Sequence, residues 1–295
     1  MRKALIDLGT NTFNLIIAEV SGSEIQHVFS TKEGVALGMG GINEKRISDD
    51  AIIRAIECLK RYKSICAEYN SERIVAIGTS AIRDASNQRD FIERVESETG
   101  IIIQVVSGEE EARLIYDGIR QTYSFDVKSI IMDIGGGSTE FILADSNGVV
   151  DLISLNIGVS RIFQLFEFQD PLSKEDIQNI EGYLEANSQG FFETKTCDCL
   201  VGSSGTFETF YELVHKVPFP SKRNPEEIEF SVFKEELDEI IQSTQKQRDE
   251  NEFIVPIRKK MAPIAAVKTR WVINKLGVKR IFVSPLSLKE GALNQ

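Results

Sequence analysis

The chain opens on a short apolar run, a polar turn and a second apolar run, ALIDLGTNTFNLIIAE over Ala4–Glu19. That pattern predicts a strand, a tight turn and a strand, continued by a third strand at Glu24–Lys32. Residues 33–45 are rich in glycine and read as a loop. The period then changes. Ile52, Ala55, Ile56, Leu59 and Tyr62 recur at helical spacing, and Ser48 stands as an N-cap before Asp49 and Asp50, so Ser48–Tyr69 reads as an amphipathic helix. Further along come a buried strand at Arg73–Gly78, a turn at Thr79–Asp84 leading into a helix that ends at Thr99, a strand at Ile101–Val106 and a helix at Ser107–Tyr123.

The second half repeats the grammar. Residues 131–144 read IMDIGGGSTEFILA, again strand, glycine turn and strand, followed by a strand at Val149–Leu155. Helices are expected at Gly158–Phe166, Lys174–Gly190, Thr206–Val214, Ser231–Gln245 and Pro263–Leu276, with a strand near residue 200 and a last strand at Arg280–Ser284. Lys216–Pro225 holds three prolines and reads as a loop. Leu286–Leu293 reads as a short terminal helix. Alternating strands and helices predict mixed sheets flanked by helices.

The two glycine hairpins superimpose in sequence. Asp7 falls on Asp133, Gly9 on Gly135, Thr12 on Ser138 and Asn14 on Glu140, each 126 residues apart (133 − 7). Residues 74–81 (IVAIGTSA) and 199–205 (CLVGSSG) echo each other at an offset of 124. A long period with two copies points to a duplicated domain rather than a solenoid. The polar stretch Thr122–Lys128 places the boundary, giving domains 1–124 and 125–295, with the last helix (286–295) free to pack back on the first. Two such halves would set four Gly/Ser/Thr turns around one cleft.

Those turns carry the candidate chemistry. Gly135, Gly136 and Gly137 lack side chains, so their N–H groups can form a concave nest for phosphate. Asp133 and Glu140 flank that turn, a pairing that suits Mg2+ shared with phosphate. A plain hairpin with a glycine loop accounts equally well for one copy alone; the second copy tips the balance. Ser203, Ser204, Gly205 and Thr206 again offer hydroxyls and amides at a helix start. Arg83, in the first turn after a strand, is awkward for the helix dipole unless an anion sits there; the bland alternative is a surface arginine paired with Asp84 or Glu93.

No Walker A motif is present. With two histidines in the chain, a general base should be a carboxylate. In SGEEEAR, Ser107 and Glu110 fit a capping box and Glu109 suits a helix N-terminus. Glu111 is the remaining carboxylate, and spacing alone does not single it out for catalysis.

Composition narrows the class further. Over 295 residues the chain carries a net charge of −11, which argues against a nucleic-acid coat. A polyanionic substrate would need local cations and nests to overcome that field. The four cysteines form no CxxC pair, so reduced packing residues are expected rather than a zinc site. The start, MRKALIDLG, does not read as a signal peptide, and no apolar run approaches the roughly 20 residues that span a bilayer. A cytoplasmic location without membrane association is the expectation.

Taken in order, DLGTNTFNLIIAEV, GTSAIRDASN, SGEEEARLIYDGI, MDIGGGSTEF, LNIGVSRIFQLF, VGSSGT and LKEGAL resemble the exopolyphosphatase/guanosine pentaphosphate phosphohydrolase (Ppx/GppA) family over nearly the whole chain. The resemblance implies an α/β fold of two duplicated actin-like (ribonuclease H-like) domains around a central cleft. It implies hydrolytic removal of a terminal phosphate from polyphosphate, or of the 5′ γ-phosphate from guanosine pentaphosphate. Glu111 matches the glutamate that activates water. Asp133 and Glu140 match catalytic acids around a divalent metal, Mg2+ or another, and Asp7 joins them as the repeat counterpart of Asp133. Phosphate contacts are assigned to Thr10, Asn11, Thr12, Arg83, Gly135, Gly136, Gly137 and Ser138, and to Ser204, Gly205 and Thr206. A homodimer is carried as a further expectation.

Two departures stand out. Thr12 replaces a serine common in the family and keeps the hydroxyl. KKMAPIAAV has Ala262 where many members carry an aspartate. The longer members' helical C-terminal domains are absent from these 295 residues, which favours short polyphosphate or a nucleotide. Two other readings stay open: a sensor that binds polyphosphate or an alarmone without cleaving it, and an ATP-dependent kinase of the same superfold.

Overall fold

A computed structural model describes residues 1–21, 24–220 and 224–293. Its elements, in chain order, begin with β1 (Arg2–Leu8), β2 (Phe13–Ser21), β3 (Glu24–Glu33), α1 (Asp49–Glu68), β4 (Arg73–Gly78), α2 (Ser80–Arg83), α3 (Gln88–Thr99), β5 (Ile103–Val105) and α4 (Gly108–Ile119). The second half contains β6 (Ser129–Ile134), β7 (Thr139–Asp145), β8 (Gly148–Leu155), α5 (Val159–Leu165), α6 (Lys174–Asn187), β9 (Cys199–Ser203) and α7 (Ser204–His215). It ends with β10 (Glu226–Ile228), α8 (Phe230–Gln242), α9 (Gln245–Glu250), a 3-10 turn at Pro256–Arg258, α10 (Ala262–Leu276), β11 (Arg280–Val283) and α11 (Leu288–Leu293).

The strands form a five-stranded sheet, β3-β2-β1-β4-β5, and a six-stranded sheet, β10-β11-β9-β6-β7-β8. The duplication is visible in the pairing. Each half has an antiparallel hairpin whose first strand also pairs in parallel, β1 with β4 and β6 with β9. Asp7 lies opposite Asn14 and Asp133 opposite Glu140, so the sequence repeat is also a repeat of cross-strand neighbours.

The apolar runs are continuous because both faces of each sheet are covered. In β1, Ala4, Ile6 and Leu8 face one core with α1, while Leu5 faces another. In β6, Ile130, Met132 and Ile134 join the second half's own core, while Ile131 faces the core that Leu5 lines. That shared layer is filled by Ala112 and Ile115 of α4 and by Leu288 and Leu293 of α11. The terminal helix therefore packs back on the first half, against α4 and β1.

Most predicted elements appear near their expected bounds, and the exceptions have local causes. The helix expected to follow 79–84 is split into α2 and α3. Asn87, at the break, spends its side chain on both backbone groups of Ile47 rather than on a cap. The helix from Ser107 stops at Ile119, and the 101–106 strand shortens to β5. Two elements were not expected from the hydrophobic pattern. β10 is only three residues long, and α9 (QKQRDE) is polar all round, its one signal being the Thr244/Gln247 capping box that holds it. Part of the 216–225 loop, at 221–223, and the last two residues of the terminal helix lie outside the described residues. The four cysteines are free and buried. Among the described residues, no helix is long and apolar enough to cross a membrane.

Candidate active site

The cleft lies where the two glycine turns meet. One hydrogen bond closes both turns in the same way: Gly9 N–H donates to Thr12 O at 3.2 Å and Gly135 N–H to Ser138 O at 3.1 Å. Among the described residues, the amides of Gly136 and Gly137 donate no hydrogen bond, which leaves the nest unspent. The turns also touch. A Cβ at Gly136 would stand 2.8 Å from Asn11, and one at Gly137 would stand 2.7 Å from Thr10 Oγ1 and 2.5 Å from Ser80 Oγ, so a larger residue would force the halves apart. Ser160 donates to Asn11 Oδ1 at 2.6 Å, tying α5 to the first turn.

The acids sit at the ends of β1, β6 and β7 and at the start of α4. Each is anchored. Asn14 donates to Asp7 at 3.0 Å, Ser204 to Asp133 at 2.7 Å and Ser154 to Glu140 at 2.7 Å. Burial pushes Asp7 up to about 6. Burial and the field of Asp133 push Glu140 up to about 7. Asp133 is also raised by burial, against hydrogen bonds from serine hydroxyls.

Glu111 is buried and held at the first turn of α4, where Ser107 and Glu110 complete the expected capping box. Burial and the charge of Glu140 hold its carboxyl well above the usual range, against the pull of Arg83. Arg83 Nη1 donates to Glu111 Oε2 at 2.7 Å and to Val106 O at 3.2 Å. The bland expectation of a surface pair with Asp84 or Glu93 is thus replaced by a buried bond to Glu111, with Asp84 farther away at 3.8 Å.

The cleft brings together Asp7, Thr10, Asn11, Thr12, Glu111, Asp133, Gly135, Gly136, Gly137, Ser138, Glu140, Ser204, Gly205 and Thr206 around a cavity of about 190 Å3. That is room for several water-sized groups. Arg83 reaches it through Glu111. The hydroxyls of Ser204 and Thr206 are engaged, with Asp133 and with Ile134 O (3.4 Å) respectively, so that helix start offers amides more than hydroxyls. Ala262 lines the cleft at the start of α10.

Other residues in or behind the cleft wall had weak signals. Lys268 is fully buried, donates to Thr139 Oγ1 at 2.6 Å and to Ile157 O, and is pushed down to about 7 by burial. It braces the segment behind the glycine turn; a single lysine inside the apolar run AAVKTRWVI was its only trace. Arg161 joins the halves. It donates to Gly137 O (3.2 Å), Ile42 O (3.2 Å) and Asp84 Oδ2 (3.0 Å). Arg258 donates to Thr209 Oγ1 at 3.3 Å beside Gly205. Lys289 and Glu208 also line the cleft.

Among the described residues, no three His, Cys, Asp or Glu side chains are grouped closely enough to hold a metal by themselves. Mg2+ commonly takes only one or two carboxylates and completes its shell with water and substrate phosphate. The anchored acids beside an open nest fit that shared kind of site, and they do not fit an all-protein cage.

A family model described as the Ppx/GppA phosphatase family matches residues 15–295. This chain belongs to that family. A crystal structure of an exopolyphosphatase from Cytophaga hutchinsonii matches with a TM-score of 0.94 and 31% identity, covering 99% of this chain and 96% of that one. The Ppx/GppA family member from Aquifex aeolicus matches with a TM-score of 0.81 and 27% identity, covering 100% and 96%. A bifunctional 3-dehydroquinate synthase/phosphatase from Fusobacterium nucleatum is 35% identical over 220 residues, 70% of this chain; the match spans only 33% of that protein's length. The chain thus has a duplicated actin-like α/β fold and belongs to a family described as phosphatases.

Proposed function

We propose that this chain removes the terminal phosphate of inorganic polyphosphate, or the 5′ γ-phosphate of guanosine pentaphosphate, by direct attack of water. The observation that carries the reading is Glu111, a buried carboxylate bonded to Arg83 on the same cleft as two phosphate-type turns. The domains are taken as 1–124 and 125–295, with the reaction between them.

Mg2+ held by Asp133 and Glu140, with Asp7 near, would neutralise charge on the phosphoryl oxygens when bound. The chain's own residues do the rest. The free amides of Gly136 and Gly137 in the 135–137 turn, with Thr10, Asn11, Thr12 and Ser138, hold the terminal phosphoryl group. Arg83 orients it through the part of its guanidinium not spent on Glu111. Glu111 takes the proton from water as the new P–O bond forms. The bridging P–O bond breaks, and its oxygen leaves on the shortened chain or nucleotide. Only ionised Glu111 can act as base, so its raised pKa places the rise in activity above the usual carboxylate range.

The test is phosphate release with Mg2+ from medium-chain polyphosphate and from guanosine pentaphosphate, side by side. Release from polyphosphate alone makes the chain an exopolyphosphatase; release from the nucleotide points to alarmone turnover. Tight binding without release would favour the sensor, and phosphorylation of an acceptor by ATP would favour the kinase.

A further inference from the structure

The cleft's acids need a fixed cation near them, and the terminal helix supplies one. α11 approaches α4 closely enough to exclude side chains. A Cβ at Gly291 would stand 1.9 Å from Leu114 O, and one at Gly118 would stand 2.0 Å from Ser287 O. Glu290 accepts a hydrogen bond from Ser287 N at 2.8 Å, and its carbonyl accepts one from Gln121 at 3.2 Å. These contacts hold the helix by its backbone. Lys289, on the same turn, is thereby set into the cleft beside Asp7 and Asp133, partly open to the cavity.

Two features separate Lys289 from an ordinary counter-ion. It stands on the cleft wall with Asp7, Asp133 and Glu208, where an incoming anion would meet it. Yet among the described residues it makes no ion pair within 4.0 Å and no hydrogen bond. The other cations on the cleft wall are committed: Lys32 to Glu208 at 3.6 Å and Arg258 to Thr209 at 3.3 Å. All three N–H donors of Lys289 are therefore available to an incoming oxyanion. A cation fixed by its helix costs no reorganisation when charge arrives, and it offsets the repulsion between the acids and a condensed phosphate.

We propose that Lys289 is a phosphate-contacting residue of this cleft, which binds an oxygen of the condensed phosphate chain next to Asp7 and Asp133. The proposal rests on the phosphohydrolase reading for its substrate class and not for the site itself.

The test is calorimetric binding of inorganic tripolyphosphate in the presence of a metal chelator, for the full chain, K289M and K289R, with melting temperatures and phosphate-release kinetics on the same samples. Loss of a charge-assisted contact predicts that K289M binds about tenfold or more weakly, with turnover reduced and the fold retained. K289R restores most of the affinity, because the charge and donors return. Two results would overturn the proposal: no metal-free binding by the unaltered protein, or unchanged affinity in K289M; with a lowered melting temperature, the second is the behaviour of a counter-ion alone. The two readings fail separately. Lys289-dependent binding without hydrolysis of any condensed phosphate would sink the hydrolase reading only. Hydrolysis with K289M indistinguishable from the parent would sink the Lys289 site only.

Discussion

Arg83 Nη1 lies 2.7 Å from Glu111 Oε2, so the carboxylate proposed as base is bonded to the arginine proposed to grip substrate. Burial and Glu140 raise the Glu111 pKa, and Arg83 lowers it. Removing the arginine therefore raises that pKa further. In R83M the acid limb of the pH–rate profile should move to higher pH as the whole profile falls. A uniform fall with an unmoved midpoint would mean that Arg83 serves substrate alone.

Asp7 carries a stability cost with a definite sign. Its folded pKa is raised to about 6 by burial, so the folded state holds the proton more tightly than the unfolded chain. The contribution is full below about pH 4 and is lost as pH rises to about 6. D7N removes that loss. At pH 8 and without metal it should melt about 3 °C higher, corresponding to about 2 kcal/mol, with the difference vanishing toward pH 4. Equal melting at both pH values would show that Asp7 is not desolvated in solution.

How much of this was legible depended on whether a residue belonged to a repeated pattern. The hairpins could be read because Asp7, Gly9 and Thr12 recur as Asp133, Gly135 and Ser138, and the pairing of each first strand with its partner preserves that spacing. Glu110 could be assigned to its cap, but Glu111 needed the fold: one residue of helix rotation turns it from solvent to a buried cleft, and only packing shows which way. Arg161 and Lys268 could not be read because the partners that define their roles, Asp84 and Ile42 for Arg161 and Thr139 and Ile157 for Lys268, lie more than 70 residues away in sequence. α9 was invisible because a six-residue helix with no apolar face has no periodicity.

Two glycines give opposite expectations for alanine. G291A drives a Cβ to 1.9 Å from Leu114 O and should cost about 1–3 kcal/mol or more by overpacking. Gly182, inside α6 with nothing within 4 Å of its Cβ position, should gain about 0.5–1 kcal/mol on replacement by alanine. Denaturant unfolding of both variants checks the pair. A stabilised G291A would mean that α11 does not dock on α4.

Arg161 bonds the two halves through Asp84 at 3.0 Å and through Ile42 O, both in the first half. R161M leaves Asp84 without its partner across the cleft and should cost about 3 kcal/mol. Small-angle scattering should also report a larger radius of gyration as the cleft opens. Unchanged stability and size would show that the halves are held without this contact.

The central claim is that Glu111 activates water against a terminal phosphoryl group. Its most direct test is the turnover number for phosphate release from medium-chain polyphosphate with Mg2+, compared between the unaltered chain and E111Q. The unaltered chain should release phosphate, and E111Q should do so about 10²–10⁴-fold more slowly, with melting and substrate binding retained. An E111Q variant that turns over at the parent rate would contradict it.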